Sequence, residues 1–244
     1  MIRRLLPFIL AAFVGLAWPV PPALAADPPA KPATVLQVPD TLAQRALACT
    51  GCHGPQGRAT PTGYLPRIAG KPAGYLHQQL LSFRDGRRQH DGMARLLQNL
   101  TDDYLMALAG HFAALELPYP APPRRPVDEA SATLGRQLVE QGDAGRGLPA
   151  CVQCHGAAMT GVSPAIPGLL GLPRDYLVAQ LGAWRTGARQ ATAPDCMAVL
   201  AKRLQPQDIG AVAEWLSTRP LPADTRPAVA AAQPLPVACG SVAP

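Results

Sequence analysis

Two short stretches of this chain, Cys49-Thr-Gly-Cys-His53 and Cys151-Val-Gln-Cys-His155, decide its fold. Both have the pattern C-x-x-C-H, which is the attachment signature of c-type haem. Two thiols three positions apart on a helical turn can each add to one vinyl group of the porphyrin, and the adjacent histidine can then ligate the iron. The sequence therefore predicts two covalently bound haem c groups. Their predicted attachment points and proximal ligands are Cys49, Cys52 and His53, and Cys151, Cys154 and His155.

Two other kinds of site use paired cysteines of this spacing. A zinc ion could be held by the two C-x-x-C pairs, with the histidines as bystanders. A thioredoxin-like dithiol is the second alternative, but no alternating pattern of strands and helices surrounds either motif. Since a C-x-x-C-H pentapeptide is rare by chance and occurs twice, haem is the favoured interpretation.

The segments that follow the two motifs align with each other at a nearly constant offset. Residues 66–70 (PRIAG) match residues 167–171 (PGLLG), and residues 75–88 match residues 176–189 in the pattern Y-L-x-x-Q-L-x-x-aromatic-R-x-G-x-R. Self-similarity at a fixed period indicates tandem units of the same fold. We call residues 39–117 the first repeat and residues 131–218 the second repeat.

Each repeat is predicted to be helical. The apolar residues of segment 75–83 recur at a spacing of three and four, as do their counterparts. Thr101 is a good N-cap for a helix that runs to about Leu117, and Pro206 with Asp208 marks the start of its counterpart. No run of alternating polar and apolar residues argues for a strand, so the fold class is all-α, with each repeat wrapped around one haem.

The rest of the chain divides into segments of distinct composition. Residues 1–25 combine Arg3 and Arg4, an apolar stretch and a small-x-small cleavage site, which is typical of a secretory signal peptide. A membrane anchor is the alternative, but about 14 apolar residues are too few to span a bilayer. Removal of the signal peptide therefore leaves no predicted membrane span. The other segments are a Pro/Ala-rich N-terminal segment (26–38), a proline-rich, stiff linker (118–130) and a Pro/Ala-rich tail (219–244).

Composition and charge limit the possible functions. Aromatic residues make up only 5% of the 244 residues and prolines number 29, so a bound group is expected to fill much of the interior. The formal net charge of +6 falls by two when Arg3 and Arg4 leave with the signal peptide. Two haems would add about four propionate carboxylates and largely cancel the remainder. The positive charge therefore predicts no nucleic-acid partner.

The second axial ligand of each iron is predicted to be a methionine. After His155 the chain contains no further histidine, and Met159 is too close to the proximal ligand to reach the other face of the ring. Met197 is then the candidate, and Met93 occupies the matching place in the first repeat. Met93 has three competing histidines, which are His77, His90 and His111. His90 is the most serious of them. Core packing is the alternative role of methionine, and it suits Met106 and Met159 better.

These motifs together resemble the dihaem class I cytochromes c, and most closely cytochrome c4. The resemblance covers roughly residues 40–218 and rests on the haem motifs, the helix pattern and the two methionines. It implies a periplasmic electron carrier with two small helical lobes. It also implies a respiratory donor, either a quinol-oxidising complex or a dehydrogenase, and a terminal oxidase or reductase as acceptor.

Two features lie outside that family pattern or are left open by it. Cys196 and Cys239 are the only cysteines that remain after haem attachment, and an oxidising compartment favours a disulfide between them. Two free thiols are the alternative. Arg84 and Arg88, repeated as Arg185 and Arg189, could bind haem propionates or form a solvated basic face.

The sequence predicts an electron carrier rather than an enzyme, because His and Met together fill both axial positions of an iron. Two alternatives stay open. One is a dihaem enzyme, such as a peroxidase or a sulfur-compound dehydrogenase, for which Cys196 beside Met197 is the one supporting feature. The other is a fixed redox subunit of a larger complex, which the tail and the proline-rich linker would permit.

Overall fold

The computed structural model describes residues 38–60, 64–123 and 126–242. The predicted signal peptide lies outside these residues, as does nearly all of the Pro/Ala-rich N-terminal segment. Among the residues that the structure describes, no helix is long and apolar enough to cross a membrane.

The first repeat folds as a series of short helices. They are α1 (Leu42–Arg45), α2 (Leu47–His53), a 3-10 turn (Pro55–Gly57), α3 (Ala73–Arg84), α4 (Asp91–Leu97) and α5 (Asp102–Ala113). Thr101 caps α5 as predicted, and its hydroxyl accepts a hydrogen bond from the Tyr104 amide at 3.3 Å. The helix ends four residues earlier than expected, at Ala113. Pro118 disfavours helical backbone in the residue before it, and the Leu117 carbonyl accepts a hydrogen bond from Arg67 at 2.6 Å instead.

The second repeat has a similar order of α-helices, but its 3-10 turn precedes the helix of the C-x-x-C-H motif instead of following it. Its elements are α6 (Glu129–Glu140), a 3-10 turn (Ala144–Arg146), α7 (Val152–His155), α8 (Arg174–Thr186), α9 (Cys196–Arg203) and α10 (Pro206–Thr218). Helix α10 begins with the predicted proline, and Asp208 completes a reciprocal capping box with Gln205. The predicted all-α class is confirmed by this mostly helical architecture.

One small sheet was not expected from the sequence. Strands β1 (Gly161–Val162) and β2 (Ile166–Pro167) pair antiparallel, and Val162 also forms an isolated parallel bridge with Ala228 of the tail. Strands of two residues carry too few side chains to show an alternating pattern, so the sequence offered no signal.

Two apolar clusters form the interior. The first lies in the first repeat and centres on Ala46, Leu76, Leu108, Ala109 and Phe112. The second is larger and is built mainly where α6 and α10 pack together. Its most buried members are Leu138, Val139, Met159, Val212, Ala213 and Leu216. Both clusters lie beside the haem motifs, because Cys49 packs against the first cluster and Cys151 against the second.

The proline-rich linker packs against the first repeat. The buried Arg67 side chain donates hydrogen bonds to the carbonyls of Leu117 and Pro118, and its guanidinium lies 3.9 Å from the ring centre of Tyr119. The described linker residues are therefore held by side-chain contacts as well as by proline stiffness.

Candidate functional site

The two predicted proximal histidines have the same environment. His53 ends α2 and His155 ends α7, and each is only 8% exposed. Nδ1 of His53 lies 2.9 Å from the Pro66 carbonyl oxygen, and Nδ1 of His155 lies 2.8 Å from that of Pro167. A carbonyl can only accept, so Nδ1 carries the proton and donates the hydrogen bond, which leaves Nε2 free to bind a metal ion.

Burial also keeps these imidazoles neutral. It lowers the pKa of both His53 and His155 below the usual range, although the backbone carbonyl on each ring opposes the shift. Neutral imidazole is the form that binds a metal ion. The two side chains are therefore oriented, and in the protonation state required, to ligate iron through Nε2.

The turn after each motif depends on glycine. Gly54 has φ of 76°, and a Cβ atom there would lie 2.2 Å from the Ala59 carbonyl oxygen. The turn lets the Ala59 amide donate a hydrogen bond to the His53 carbonyl at 2.7 Å, and Gly156 has a similar φ after His155. The chain therefore reverses direction directly after the histidine and returns to place the supporting proline carbonyl.

Three of the four motif cysteines lack the lowered pKa of a reactive thiol. Burial raises the pKa of Cys49 and Cys154, and it raises the pKa of Cys151 to about 11. Reactive and zinc-binding cysteines are thiolates with lowered pKa values. Within the described ranges, no three His, Cys, Asp or Glu side chains converge as a metal site. The raised pKa values speak against a reactive dithiol, and the lack of converging ligands among the described residues speaks against a zinc site.

The predicted distal methionines each lie in the first turn of a helix. Met93 belongs to α4 and Met197 to α9, and both line the same cavity as the two proximal histidines. His90, the main competitor of Met93, is the N-cap of α4, where its Nδ1 accepts a hydrogen bond from the Met93 amide at 3.3 Å. In the second repeat Asp195 caps α9 in the same way.

The other histidines and methionines lie elsewhere. Neither His77 nor His111 lines the cavity in the described part of the chain. Met159 is 3% exposed and belongs to the apolar core, as predicted. Met106 does not, since it is 45% exposed on α5. The prediction that Met106 packs in the core is therefore wrong, because its position on α5 turns its side chain toward solvent.

One continuous cavity of about 1850 Å³ connects the two repeats. It is larger than the roughly 300–1,000 Å³ of ordinary ligand pockets. Its walls carry both C-x-x-C-H motifs, both methionines and many apolar side chains. Trp184 also lines it, and the indole Nε1 of this residue is buried without a hydrogen-bond partner among the described residues. An imidazole and a thioether for each repeat, inside a mostly apolar cavity with an unpaired donor, fit two haem groups.

The Pro/Ala-rich tail forms part of this cavity. Cys196 and Cys239 are joined by a disulfide with a Cα–Cα distance of 4.9 Å. The tail pairs with the sheet region, because the Ala228 amide donates to the Gly161 carbonyl at 2.9 Å. Several tail residues line the cavity beside Met197, and they are Leu235, Val237, Cys239, Ser241 and Val242. The tail is therefore a part of the second repeat's site.

The structure separates the four repeated arginines into two pairs. Arg84 and Arg185 donate to the backbone carbonyls of Leu100 and Leu204, which directly precede the capping residues of α5 and α10. Neither lines the cavity in the described ranges, whereas Arg88 and Arg189 do. The site also contains two buried cations that sequence reasoning did not identify, which are Arg67 and Lys71. The alignment of the repeats gave no signal for these two residues, because Arg67 aligns with Gly168 in the second repeat.

A helical fold with two C-x-x-C-H motifs, each ending in a buried histidine that lines a large cavity, is typical of a c-type cytochrome of class I. The cytochrome c family matches residues 132–220. The chain is 34% identical over 219 residues to the "Thiosulfate dehydrogenase electron acceptor" of Thiomonas intermedia, covering 90% of this chain and 92% of that protein. It is 35% identical over 188 residues to cytochrome c4 of Thiocapsa roseopersicina, covering 74% of this chain and 93% of that protein.

Solved structures give the same result. Reduced cytochrome c4 from Pseudomonas stutzeri matches with a TM-score of 0.63 and 27% identity, covering 72% of this chain and 95% of that one. Thiosulfate dehydrogenase (TsdBA) from Marichromatium purpuratum matches with a TM-score of 0.63 and 38% identity over 71% of this chain, but the match spans only 36% of that longer chain. The chain belongs to the dihaem cytochrome c4 family, and it is an electron-transfer protein with two covalently bound haem c groups.

Proposed function

We propose that this chain is a periplasmic carrier that accepts electrons from a thiosulfate dehydrogenase and passes them to a terminal oxidase or reductase. The observation that carries the proposal is the match across 90% of the chain to a thiosulfate dehydrogenase electron acceptor. A second protein of that name, from Stutzerimonas stutzeri, is 37% identical over 172 residues. A quinol-oxidising complex is the other donor that the family suggests.

The donor atoms support a carrier rather than an enzyme. In the proposed site, His53 and Met93 would hold one haem iron, and His155 and Met197 would hold the other. The imidazole nitrogen and thioether sulfur of each pair would leave no open position on the iron for a small substrate. Two bound haems would allow the chain to accept two electrons from its donor, one for each iron. Cys49, Cys52, Cys151 and Cys154 hold the two groups as thioethers.

Two independent features support a periplasmic location. Residues 1–25 have the composition of a secretory signal peptide. The Cys196–Cys239 disulfide is a bond that persists in oxidising compartments and is rare in the cytoplasm. Haem is attached covalently outside the cytoplasm, so the two C-x-x-C-H motifs also require export.

The proposal is tested with the oxidised, haem-loaded protein. Thiosulfate and a purified thiosulfate dehydrogenase are added together, and haem reduction is followed in the visible spectrum. We expect uptake of two electrons per chain only when both are present. Thiosulfate alone and thiosulfate with heat-inactivated dehydrogenase are the controls. Reduction by a quinol-oxidising complex but not by the dehydrogenase would replace the proposed donor.

A second candidate function is thiosulfate oxidation by this chain itself or by a complex of which it is a fixed subunit. The similarity to part of TsdBA supports this second candidate function. The same experiment separates the two functions, because a dehydrogenase would be reduced by thiosulfate without any added enzyme. Oxidation of the reduced protein by hydrogen peroxide at enzymatic rates would instead indicate a peroxidase.

A further inference from the structure

Two buried arginines meet where the two repeats contact each other. Arg88 is 8% exposed and Arg189 is 3% exposed. Their backbones form an antiparallel bridge, and the Gln190 amide donates to the Arg87 carbonyl at 2.6 Å. Arg88 follows α3 of the first repeat and Arg189 follows α8 of the second. The bridge therefore joins equivalent positions of the two repeats.

The side chains of these arginines cross between the repeats. Arg88 donates to the Gln79 side chain of its own repeat at 2.9 Å, and to Gln180 at 2.7 Å and Tyr176 at 2.9 Å in the other. Arg189 repeats the pattern in reverse, donating to Gln180 at 2.9 Å and to Gln79 at 2.7 Å. Each glutamine oxygen therefore accepts from both guanidinium groups. We call Arg88, Arg189, Gln79 and Gln180 the crossed cluster.

The positive charges of the crossed cluster lack protein counter-charges. Across the described ranges, no carboxylate forms an ion pair with Arg88 or Arg189. Instead their guanidinium groups stack on the rings of Phe83 and Trp184 at 4.4 and 3.7 Å. Burial, followed by the charge of Arg88, lowers the pKa of Arg189.

Two more cations lie along the same cavity. Lys71 and Arg67 are each 4% exposed, and both donate to carbonyl oxygens, Lys71 reaching Gly168 of the second repeat at 3.0 Å. Burying several charges without partners is costly. The cavity walls hold both proximal histidines as well as these cations. The propionate carboxylates of bound haem are of the sign and kind that such cations bind.

We propose that Arg88 and Arg189, held by Gln79 and Gln180, act as a shared cationic pair that raises the reduction potentials of both haems, each arginine acting on the other repeat's haem as well as its own. A positive charge beside an iron favours the ferrous state, which carries one positive charge fewer, and it acts strongly where water is excluded. The proposal goes beyond the assignment of a donor and does not depend on it.

The experiment measures both midpoint potentials in the full haem-loaded chain. Paramagnetically shifted haem methyl signals in NMR report the two haems separately during a redox titration. Gln79→Glu is the main variant, because it keeps the side-chain shape and places a carboxylate between the two guanidinium groups. We expect it to lower both potentials. Arg88→Gln removes one charge and is expected to have the same effect on both haems, while Arg88→Lys keeps the charge and leaves the potentials nearly unchanged.

The chain offers matched controls. Gln78→Glu adds the same charge one position away on α3, outside the cavity, and Arg84→Gln removes the same charge four positions before Arg88. Neither is expected to shift the potentials appreciably, since charges outside the cavity are screened by solvent and salt. The proposal is overturned if Gln79→Glu shifts only one haem, if it shifts neither, or if Gln78→Glu shifts both equally. Because Gln79→Glu retains the cluster's hydrogen-bond acceptor, it tests the idea even if Arg88→Gln does not fold.

Discussion

Cys239, five residues from the end of the chain, is bonded to Cys196, the residue directly before Met197. The two cysteines are 43 positions apart, so the bond closes a long loop of the second repeat. Closing such a loop stabilises a fold by about 4 kcal/mol in the chain-entropy description. We therefore expect the double variant Cys196→Ser, Cys239→Ser to lower the free energy of unfolding by up to about 4 kcal/mol, measured by guanidinium denaturation.

The single variant Cys239→Ser is the control for this prediction. Because either substitution breaks the bond, the single and double variants should unfold at nearly the same denaturant concentration. Thiol counting on the denatured, unreduced protein is a direct check of the bond itself. Two free thiols per chain, or a double variant as stable as the parent, would contradict the prediction.

Spectroscopy can show whether the proposed distal ligands, Met93 and Met197, bind the haem irons rather than His90. A methionine bound to oxidised haem iron gives a weak charge-transfer band at the red end of the spectrum. With two such haems, Met93→Ala and Met197→Ala are each expected to remove about half of the band's intensity, and replacing both should abolish it.

His90→Ala is the matched variant, because it removes the competing ligand three residues from Met93. We expect the band to stay at full intensity and the protein to lose about 0.5–2 kcal/mol of stability, since His90 caps α4. If His90→Ala removed half of the band and Met93→Ala left it unchanged, the ligand of the first haem would have to be reassigned.

Much of this site was predictable because local sequence determines it. The C-x-x-C-H motifs specify their own chemistry, and the Thr101 cap and the Asp208 capping box involve residues three apart. The alignment of the repeats also marked the segments that begin at Pro66 and Pro167. Their role was not predictable, because a backbone carbonyl carries no sequence signal and the contact to each histidine spans 12 or 13 residues.

Contacts between the repeats were the least predictable part. Arg84 and Arg88 lie four positions apart and have the same chemistry, yet Arg88 lines the cavity and Arg84 bonds to Asp102 and the Leu100 carbonyl. Only the packing of one repeat against the other separates them. The tail posed the same problem, since its Pro/Ala-rich composition gives no sign that Ala228 pairs with residues 161–163.

The packing of α6 against α10 depends on a glycine. A Cβ atom on Gly135 would lie 2.3 Å from the Ala211 carbonyl oxygen and 2.8 Å from the Trp215 Cβ. Gly135→Ala should therefore force the two helices apart and cost about 1–3 kcal/mol, as overpacked cores do. Gly182→Ala in α8 is the control with the opposite sign, because nothing lies within 4 Å of its Cβ position. Since alanine is the better helix former, Gly182→Ala should stabilise the protein by up to about 1 kcal/mol. If both substitutions had equal effects on thermal unfolding, the packing argument would be contradicted.

Trp184 and Phe83 occupy matching positions of the two repeats, and the difference between them should separate the two reduction potentials. Trp184 lines the cavity with an indole N–H that has no partner among the described residues, while its counterpart Phe83 has no donor. An unpaired buried donor costs about 1–3 kcal/mol, so in the haem-loaded protein we expect it to donate to a propionate of the second haem.

A hydrogen bond of that kind disperses the negative charge of the propionate, which otherwise stabilises ferric iron. Trp184→Phe removes the donor but keeps an aromatic ring against Arg189. We expect it to lower the potential of the second haem by roughly 20 to 40 mV and to leave the first haem unchanged. That shift corresponds to a hydrogen bond about 0.5 to 1 kcal/mol stronger in the ferrous than in the ferric state. Phe83→Trp is the reciprocal variant and should raise the potential of the first haem if its indole reaches a propionate. An unchanged second potential in Trp184→Phe would mean that the indole N–H does not contact the haem.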